Sequence, residues 1–203
     1  MVSTNTMRTF IIRARKGSTR WERLRANIGA NDHFEVVAHT VINAFFTSND
    51  FRDDVEVYII LDSSEDFPRT IKLSSKEGLS MSGFHEEAVV ELVEQALKNS
   101  TGLQKDETKM IAPGLQISGF GFEKCVKQLL ETRSVYLLDR KGADIQSTQF
   151  DENPVFVLSD HLPMPKNSIK GLQRHGLKTM SLGKKMLFAS QCVVIINYEL
   201  DKH

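Results

Sequence analysis

Ser159, Asp160 and His161 stand next to one another in the stretch FVLSDHLPMP, which runs from Phe156 to Pro165. Serine hydrolases use these three residue types, so a nucleophile with its base is one interpretation of the cluster. The G-x-S-x-G turn that usually exposes such a serine is absent, and adjacent residues point in different directions. The sequence therefore argues against a hydrolase.

A metal site is the second interpretation of this stretch, because His161 and Asp160 are both common metal ligands. Further ligands at suitable spacing would be needed, and His175 and Cys192 are the only loose candidates. We therefore expect no metal. In the third interpretation Ser159 and Asp160 accept hydrogen bonds from backbone N–H groups, and the prolines that follow stiffen the loop. A loop of this kind can form part of a binding site.

Strands and helices alternate along the chain, which predicts an α/β fold with a mostly parallel sheet flanked by helices. We expect strands over residues 9–16, 54–62, 69–73, 134–138, 155–158 and 177–181, and helices over residues 33–48, 86–98, 123–132, 167–174 and 186–200. Residues 99–110 are polar and are predicted to be irregular, and a turn is predicted at 140–142. The glycine-rich stretch IAPGLQISGFGF (111–122) lacks the preceding strand and the spacing of a nucleotide-binding loop.

Three segments follow predicted strands in the C-terminal half, namely 138–140, 158–161 and 181–183. In parallel α/β sheets, ligands bind beyond the carboxyl ends of the strands. If these strands are neighbours, the three loops converge. Their residues are mostly small or apolar, so they offer backbone hydrogen-bonding groups beside apolar side chains. That composition suits a flat heterocycle such as adenine.

The composition is that of an ordinary globular domain. The chain has 203 residues, of which 40% are hydrophobic and 26% charged. No apolar run approaches the roughly 20 residues that span a bilayer, and the N-terminus does not resemble a signal segment. The two cysteines are far apart in sequence and fit a reducing compartment, so we expect a cytoplasmic protein.

The net charge of zero is unevenly distributed. Residues 1–25 hold seven basic side chains and one acidic side chain, which gives +6 and leaves −6 for the rest. A local basic segment can contact phosphate groups, although a solvated surface stretch would have the same composition.

Four stretches resemble the tRNA pseudouridine N1-methyltransferase family, which belongs to the SPOUT superfamily of knotted methyltransferases. They are MRTFIIRARK (7–16), AFFTSNDFRDDVEVY (44–58), NPVFVLSDHLPM (153–164) and SLGKKMLFASQCVVIINYELD (181–201). The last two are the more specific, because their order and spacing match as well as their residue types. The resemblance implies one domain over residues 7–203, preceded by an extension at residues 1–6.

The resemblance implies an α/β fold with a C-terminal deep trefoil knot over about residues 134–203, a rare exception to the usual rules of topology. It further implies an enzyme that binds S-adenosylmethionine in the knot and acts as a homodimer. In this family the methyl group is transferred to N1 of a pseudouridine at position 54 of the tRNA T-loop. The expected partners are therefore RNA, in particular tRNA, and a second copy of the chain, with no membrane and no metal.

The resemblance also assigns cofactor-binding residues, and they fall on the three loops described above. They are Leu138, Leu158, Ser159, Ser181, Leu182, Gly183, Met186, Leu187 and Cys192. Ser159 stands where the family often has glycine. On composition alone, Leu138, Leu187 and Cys192 would be interpreted as core residues. The matched spacing favours the cofactor site.

Catalysis requires loss of a proton, because the N1 atom of pseudouridine is protonated, and a carboxylate is a natural base. The family's Arg-x-Asp near the first helix corresponds here to His33 and Glu35, so the carboxylate is retained and the arginine is not. Asp50, Arg52 and Asp54 match the family's acidic-basic-acidic run, although a solvated loop would look the same. The predicted catalytic residues are Glu35, Asp50 and Asp54, and the predicted RNA contacts are Arg13, Arg15, Arg20 and Arg52.

A second hypothesis belongs to a different class. A protein that keeps the fold but binds S-adenosylmethionine or RNA without catalysis, or with another specificity, would share the C-terminal stretches. The change to His33 and Glu35 and the zero net charge motivate this alternative.

Overall fold

The fold is described from a computed structural model, which describes residues 6–25, 34–63, 66–160, 162 and 164–202. The strands are β1 (Arg8–Ala14), β2 (Val55–Leu61), β3 (Arg69–Ser74), β4 (Thr108–Ala112), β5 (Leu115–Ser118), β6 (Val135–Asp144), β7 (Val155–Ser159) and β8 (Lys178–Ser181). The helices are α1 (Trp21–Leu24), α2 (Phe34–Phe45), α3 (Glu86–Lys98), α4 (Phe122–Leu130), α5 (Lys166–Gln173) and α6 (Ala189–Leu200). Within the described part of the chain, no helix has the length and apolar character needed to cross a membrane.

All eight strands form one sheet in the order β4-β5-β3-β2-β1-β7-β6-β8. Five neighbouring strands are parallel to one another, namely β2, β1, β7, β6 and β8. On the side of β2, strands β3, β5 and β4 extend the sheet with antiparallel pairing. The predicted α/β class with a mostly parallel sheet is therefore confirmed. The antiparallel extension was not predicted.

Helices cover both faces of the parallel part of the sheet. Successive residues of β1 point to opposite faces, so that Phe10 and Ile12 belong to one buried cluster and Ile11 to the other. The first cluster includes side chains of α2, α3 and α6, and the second includes side chains of α4 and α5. Burial on both faces explains why Phe10, Ile11 and Ile12 are apolar in succession rather than alternating with polar residues.

A β-hairpin begins at the end of the stretch 99–110 that we predicted to be irregular and continues into the glycine-rich stretch 111–122. Strands β4 and β5 pair in antiparallel register across a turn at Pro113 and Gly114. Gly114 has a φ of 68°, and a Cβ there would lie 2.4 Å from the backbone nitrogen of Leu79. Only glycine fits this turn, so the glycine-rich stretch 111–122 is structural at this point.

Strand β6 is longer than predicted, and residues 140–142 lie within it rather than in a simple turn. Leu138 pairs with Met180 of β8, and after an irregular excursion Ala143 pairs with Met180 again. Gly142 lies against the β8 backbone, because a Cβ there would be 2.4 Å from the Met180 nitrogen. The close approach of two backbones explains a glycine inside this strand.

Candidate functional site

Three loops converge at the carboxyl edge of the sheet, by which we mean the edge where parallel strands β1, β2, β6, β7 and β8 end. Strand β6 lies between β7 and β8 and pairs in parallel with both. Its residue Leu137 lies opposite Val157, and the next residue, Leu138, lies opposite Met180. The excursion of β6 after Leu138 and the segments that follow β7 and β8 therefore lie side by side at this edge, which confirms the predicted convergence.

Asp160 shapes the loop after β7. Its carboxylate is buried and accepts hydrogen bonds from the backbone N–H groups of Arg15, at 3.1 Å, and Leu162, at 2.8 Å. Ser159 is the last residue of β7 and lies opposite Arg13 of β1. Of the three interpretations of this stretch, the turn-forming one is supported by these contacts. His161 and Pro163 lie outside the described residues.

The loop after β8 is held by its own serine. Ser181 Oγ accepts a hydrogen bond from the Gly183 N–H at 3.1 Å. Gly183 has a φ of 117°, which side chains rarely adopt, so glycine is required at this position. The loop then exposes two large apolar side chains, Met186 at 80% and Phe188 at 69% of their full accessibility. Leu187, between them, is half-buried.

Four of the assigned cofactor residues pack against the core beneath these loops. Leu158 is buried, and Leu138, Leu182 and Cys192 are partly buried against the same hydrophobic cluster. Cys192 lies in the first turn of α6, and burial raises the pKa of its thiol to about 11. A neutral thiol is a poor nucleophile, so Cys192 serves as a small apolar contact.

The convergent loops therefore combine apolar side chains with backbone polar groups and a serine hydroxyl. This lining fits an adenosine-like group carrying a sulfonium, which needs a flat apolar surface and few hydrogen bonds. Among the described residues there is no group of three or more His, Cys, Asp or Glu side chains that could hold a metal ion.

Glu35 lies at the same edge as these loops. It occupies the first turn of α2, which follows the segment leaving the carboxyl end of β1. It is half-buried. His33, the residue that replaces the family's arginine, lies outside the described residues.

Asp50, Arg52 and Asp54 lie at the amino edge of the sheet, beyond the last residue of α2. The 12 residues of α2 span about 18 Å, so the structure does not bring these carboxylates to Glu35 within one chain. Asp50 is exposed, and its side chain accepts a hydrogen bond from the Phe51 N–H. The predicted catalytic set is thus divided between two edges of the sheet.

Asp54 and Arg52 take part in a cluster of ion pairs. Arg8 donates to Asp54 Oδ2 from Nε at 2.9 Å and also contacts Asp201 Oδ1 at 2.8 Å. Arg52 binds both oxygens of Asp201, at 3.0 and 2.5 Å. Asn197 Oδ1 accepts from Arg8 at 3.1 Å. These contacts tie the start of β1 and β2 to the end of α6, which is a structural task.

Arg13 is held inside the chain by a carboxylate and an aromatic ring. Its guanidinium is buried, binds Asp62 Oδ2 through Nε at 2.8 Å and Nη2 at 2.6 Å, and lies 4.4 Å from the centre of the Phe122 ring. The predicted RNA contact at Arg13 is therefore replaced by an internal one. Arg15 is half-buried and Arg20 exposed.

Gly142 is a positioning residue that the sequence analysis missed. Its contact with the backbone of β8 fixes how closely the loops after Leu138 and Ser181 approach each other. The signal in the sequence was a glycine four residues after the end of a predicted strand, which can mark a close approach of two backbones as well as a turn.

Comparison with known proteins agrees with this geometry. Residues 7–203 match the model of a family described as "Putative SAM-dependent RNA methyltransferase". A protein of Photobacterium profundum is 44% identical over 195 residues, 96% of this chain and 98% of the relative, and one of Alcanivorax borkumensis is 45% identical over 196 residues with the same coverage. Both are named "Putative pseudouridine methyltransferase".

A likeness in fold extends to a solved structure. The crystal structure of Archaeoglobus fulgidus Nep1 bound to S-adenosylhomocysteine superposes with a TM-score of 0.64, covering 97% of this chain and 98% of that chain. The sequences are 13% identical, so this likeness concerns the fold alone.

Proposed function

We propose that this chain, which belongs to the family of SAM-dependent RNA methyltransferases that matches its residues 7–203, methylates N1 of a pseudouridine in tRNA. The names of the two relatives support pseudouridine as the target, and the resemblance of the C-terminal stretches supports N1 and T-loop position 54. The observation that carries the proposal is the convergence of the β6 excursion after Leu138 with the loops after β7 and β8, at the edge where Glu35 also lies.

S-adenosylmethionine supplies a methyl group on a sulfonium, with a neutral thioether as the leaving group. We assign the pocket for it to the loop residues named above. Leu138, Leu182 and Leu187 would provide apolar contacts, and the backbone around Ser159 and Gly183 would provide hydrogen bonds. Asp160 would keep the β7 loop in shape, because its carboxylate is already held by two backbone N–H groups.

The protein must then position the base and remove one proton. N1 of pseudouridine carries a proton because the sugar is joined through carbon, and N1 becomes nucleophilic as that proton leaves. We assign the proton acceptor to Glu35, the predicted catalytic carboxylate that lies at the carboxyl edge. General-base catalysis of this kind contributes about 10²- to 10⁴-fold to a rate. Asp54 is an unsuitable base, because its carboxylate is buried against Arg8.

A trefoil knot would account for the course of β6. The strand pairs with β8 both before and after its excursion, and residues Ile145–Ser147 then pack against α6. The segment that joins β8 to α6 would pass beside this excursion. That is the arrangement expected when the C-terminal segment threads through an earlier loop. The knot is part of the proposal, as is the division of the chain into an extension and one domain over residues 7–203.

A homodimer would cover the outer face of α6. Val194 and Tyr198 are 50% and 63% exposed, and they continue the apolar surface that begins at Phe188. Val194 and Tyr198 are four residues apart and lie on one face of α6, so these exposed apolar side chains form a surface that water solvates poorly. The surface adjoins the loop after β8, so a second copy bound there would also close that side of the cofactor pocket.

Methyl transfer to matched RNAs tests the proposal. Two tRNA transcripts that differ only in carrying pseudouridine or uridine at the target are incubated with the protein and labelled S-adenosylmethionine. We expect label in the pseudouridine transcript alone, and N1-methylpseudouridine on nucleoside analysis. Equal labelling of both, or of neither, contradicts the proposed activity.

Two variants test the assignment of the base. Glu35→Gln should lower the transfer rate by about 10²-fold or more, because an amide cannot accept the proton, while calorimetry shows unchanged affinity for S-adenosylmethionine. Asp50→Asn is the matched control and should retain the rate. Tight cofactor binding without transfer to any cellular RNA would favour the alternative of a binding protein.

A further inference from the structure

A pocket of about 400 Å³ opens beside the end of β2, outside the three cofactor loops. Its walls come from the segment before β3, the turn before β4, and the segment that joins β5 to the start of α4. The side chains that matter for the argument are Phe67, Phe120, Lys105, Asp106 and Lys124.

Two aromatic rings supply the apolar part of the pocket. Phe67 and Phe120 are both half-buried, so each ring still presents surface to the pocket. The guanidinium of Arg69 lies 3.6 Å from the centre of the Phe67 ring, and the ammonium of Lys124 lies 5.6 Å from that of Phe120. Phenylalanine faces next to cations are typical of surfaces on which nucleobases stack.

Charged groups surround these rings. Lys105 is exposed, and Lys124 pairs with Asp106 at 2.9 Å. Asp106 has a φ of 68°, and its N–H donates to the carbonyl of Gly119 at 2.8 Å, which fixes the turn. The ammonium groups can bind a phosphate, and the carboxylate can accept a hydrogen bond from an exocyclic amino group.

The pocket lies near the proposed cofactor site. Its residue Asp62 follows β2 at the carboxyl edge, and β1 alone separates β2 from β7. Two strand spacings of about 4.8 Å put the end of β2 about 10 Å from the end of β7. One or two nucleotides of an extended RNA span such a distance.

A basic stripe lies on the other side of the α4 N-terminus. Lys166, Lys170 and Arg174 are exposed, and their spacing of four residues puts them on one face of α5 and its last turn. None of the three forms an ion pair with a described residue. Glu123 links α5 to the pocket, because it lines the pocket and accepts a hydrogen bond from Ser168 at 2.6 Å, and the stripe occupies the opposite, solvent-facing side of the same helix.

We propose that this pocket binds one unstacked nucleobase of the RNA substrate, a neighbour of the methylated nucleotide, and that the α5 stripe binds the adjoining phosphates. The inference rests on the proposed RNA methyltransferase function. The base stacks on Phe120, and its exocyclic amino group donates to the carboxylate of Asp106. Adenine, guanine and cytosine carry such a group, and uracil does not.

RNA binding without cofactor tests the stripe. The probe is fluorescently labelled tRNA from cells that lack this protein, and affinity is measured by anisotropy at several salt concentrations. Replacing Lys166, Lys170 and Arg174 by alanine should weaken binding and reduce the salt slope by about 2, since each lost single-strand phosphate contact removes about 0.7. Lys76→Ala is the matched control, because Lys76 is an exposed lysine in the turn after β3, at the opposite edge. It should leave the slope unchanged.

Variants of the pocket residues test the binding of the nucleobase. Phe120→Leu keeps an apolar side chain but removes the flat ring, and it should weaken binding about fivefold or more. Lys105→Ala changes an exposed side chain and should also weaken binding, so the test does not depend on a core substitution. The wild type should bind oligocytidylate more tightly than oligouridylate. Asp106→Asn should abolish that preference, because asparagine tolerates the positive φ and its amide can pair with uracil.

The outcomes separate the two proposals. If the wild type methylates and binds RNA but the stripe and pocket variants behave like Lys76→Ala, the pocket assignment is wrong and the methyltransferase function stands. If the wild type neither binds tRNA nor transfers a methyl group, both are overturned. Equal affinity of the wild type for oligocytidylate and oligouridylate contradicts the role of Asp106.

Discussion

Replacing Asp54 by alanine should destabilise the protein without abolishing methyl transfer. The resemblance of the sequence made Asp54 a candidate catalytic residue. In the structure its carboxylate is about 10% exposed and binds the guanidinium of Arg8, whose side chain is 9% exposed. Removal of the carboxylate leaves a buried arginine with fewer partners, and that is an energetic penalty on the folded state.

The magnitude follows from the remaining contacts of Arg8. Breaking a buried ion pair by removing one partner typically costs about 3–5 kcal/mol. Arg8 retains Asp201, whose side chain is 40% exposed, and Asn197. We therefore expect a loss of about 3 kcal/mol, at the lower end of that range. For a domain of this size the loss corresponds to a fall of about 6–12 °C in Tm.

Two measurements on the same preparation provide the test. Thermal unfolding by circular dichroism gives the change in Tm, and methyl transfer at a temperature well below both transitions gives the rate per folded molecule. Glu152→Ala is the matched control, because Glu152 is an exposed carboxylate in the segment before β7, at the same edge of the sheet. It should change the free energy of unfolding by no more than about 0.5 kcal/mol.

The reasoning is refuted by one pattern of results. If Asp54→Ala unfolds at the wild-type temperature but transfers methyl groups about 100-fold more slowly, then Asp54 acts in catalysis and the contact with Arg8 is incidental. A partner subunit that brings its amino edge to the site would produce that result. A double variant that replaces Arg8 and Asp54 by apolar residues should recover part of the lost stability, because no buried charge then remains unpaired.

Three further predictions concern the residues that shape the site. Gly142→Ala should lower both Tm and the affinity for S-adenosylmethionine measured by calorimetry, because its Cβ would lie 2.4 Å from a backbone nitrogen of β8. Gly171→Ala, in α5 with no atom within 4 Å of the new Cβ, is the control and should lower neither. Because burial raises the pKa of Cys192 to about 11, its alkylation by iodoacetamide should accelerate about tenfold per pH unit up to about pH 10, and a plateau near pH 8.5 would contradict this. Arg13→Ala should destabilise the protein by about 3 kcal/mol but leave the salt slope of RNA binding unchanged, and a shallower slope would restore Arg13 as a phosphate contact.

The elements that were predicted correctly from the sequence are those in which the spacing of apolar residues shows which face is buried. Helix α3 runs from Glu86 to Lys98, as predicted, because its apolar residues repeat at helical spacing and its polar face is continuous. The hairpin of β4 and β5 was not predicted, because β4 lacks such a pattern. Thr108, Lys109 and Met110 of β4 are all exposed, so this edge strand has no buried face and no alternation to detect.

The site was predictable in part, since the loops follow from strand order. Leu138, Leu158 and Ser181 each end a predicted strand, and a parallel sheet brings such ends to one edge. Glu35 and Asp54 are only 19 positions apart in sequence, but they lie at opposite edges of the sheet. Their separation depends on α2 running back across the sheet, which residue types alone do not reveal.

The basic N-terminal segment shows why charge counted along the chain is an incomplete guide to an RNA surface. Arg8 and Arg13 are buried against Asp54 and Asp62, and Arg25 pairs with Glu87 and Glu94. Three of the seven basic side chains in residues 1–25 are thus occupied by carboxylates from distant parts of the sequence. The stripe on α5 lies far from this basic N-terminal segment in sequence, and it forms no ion pair with a described residue. Because a phosphate is attracted by charge that the protein has not already neutralised, we expect RNA to approach the carboxyl edge from the side of α4 and α5.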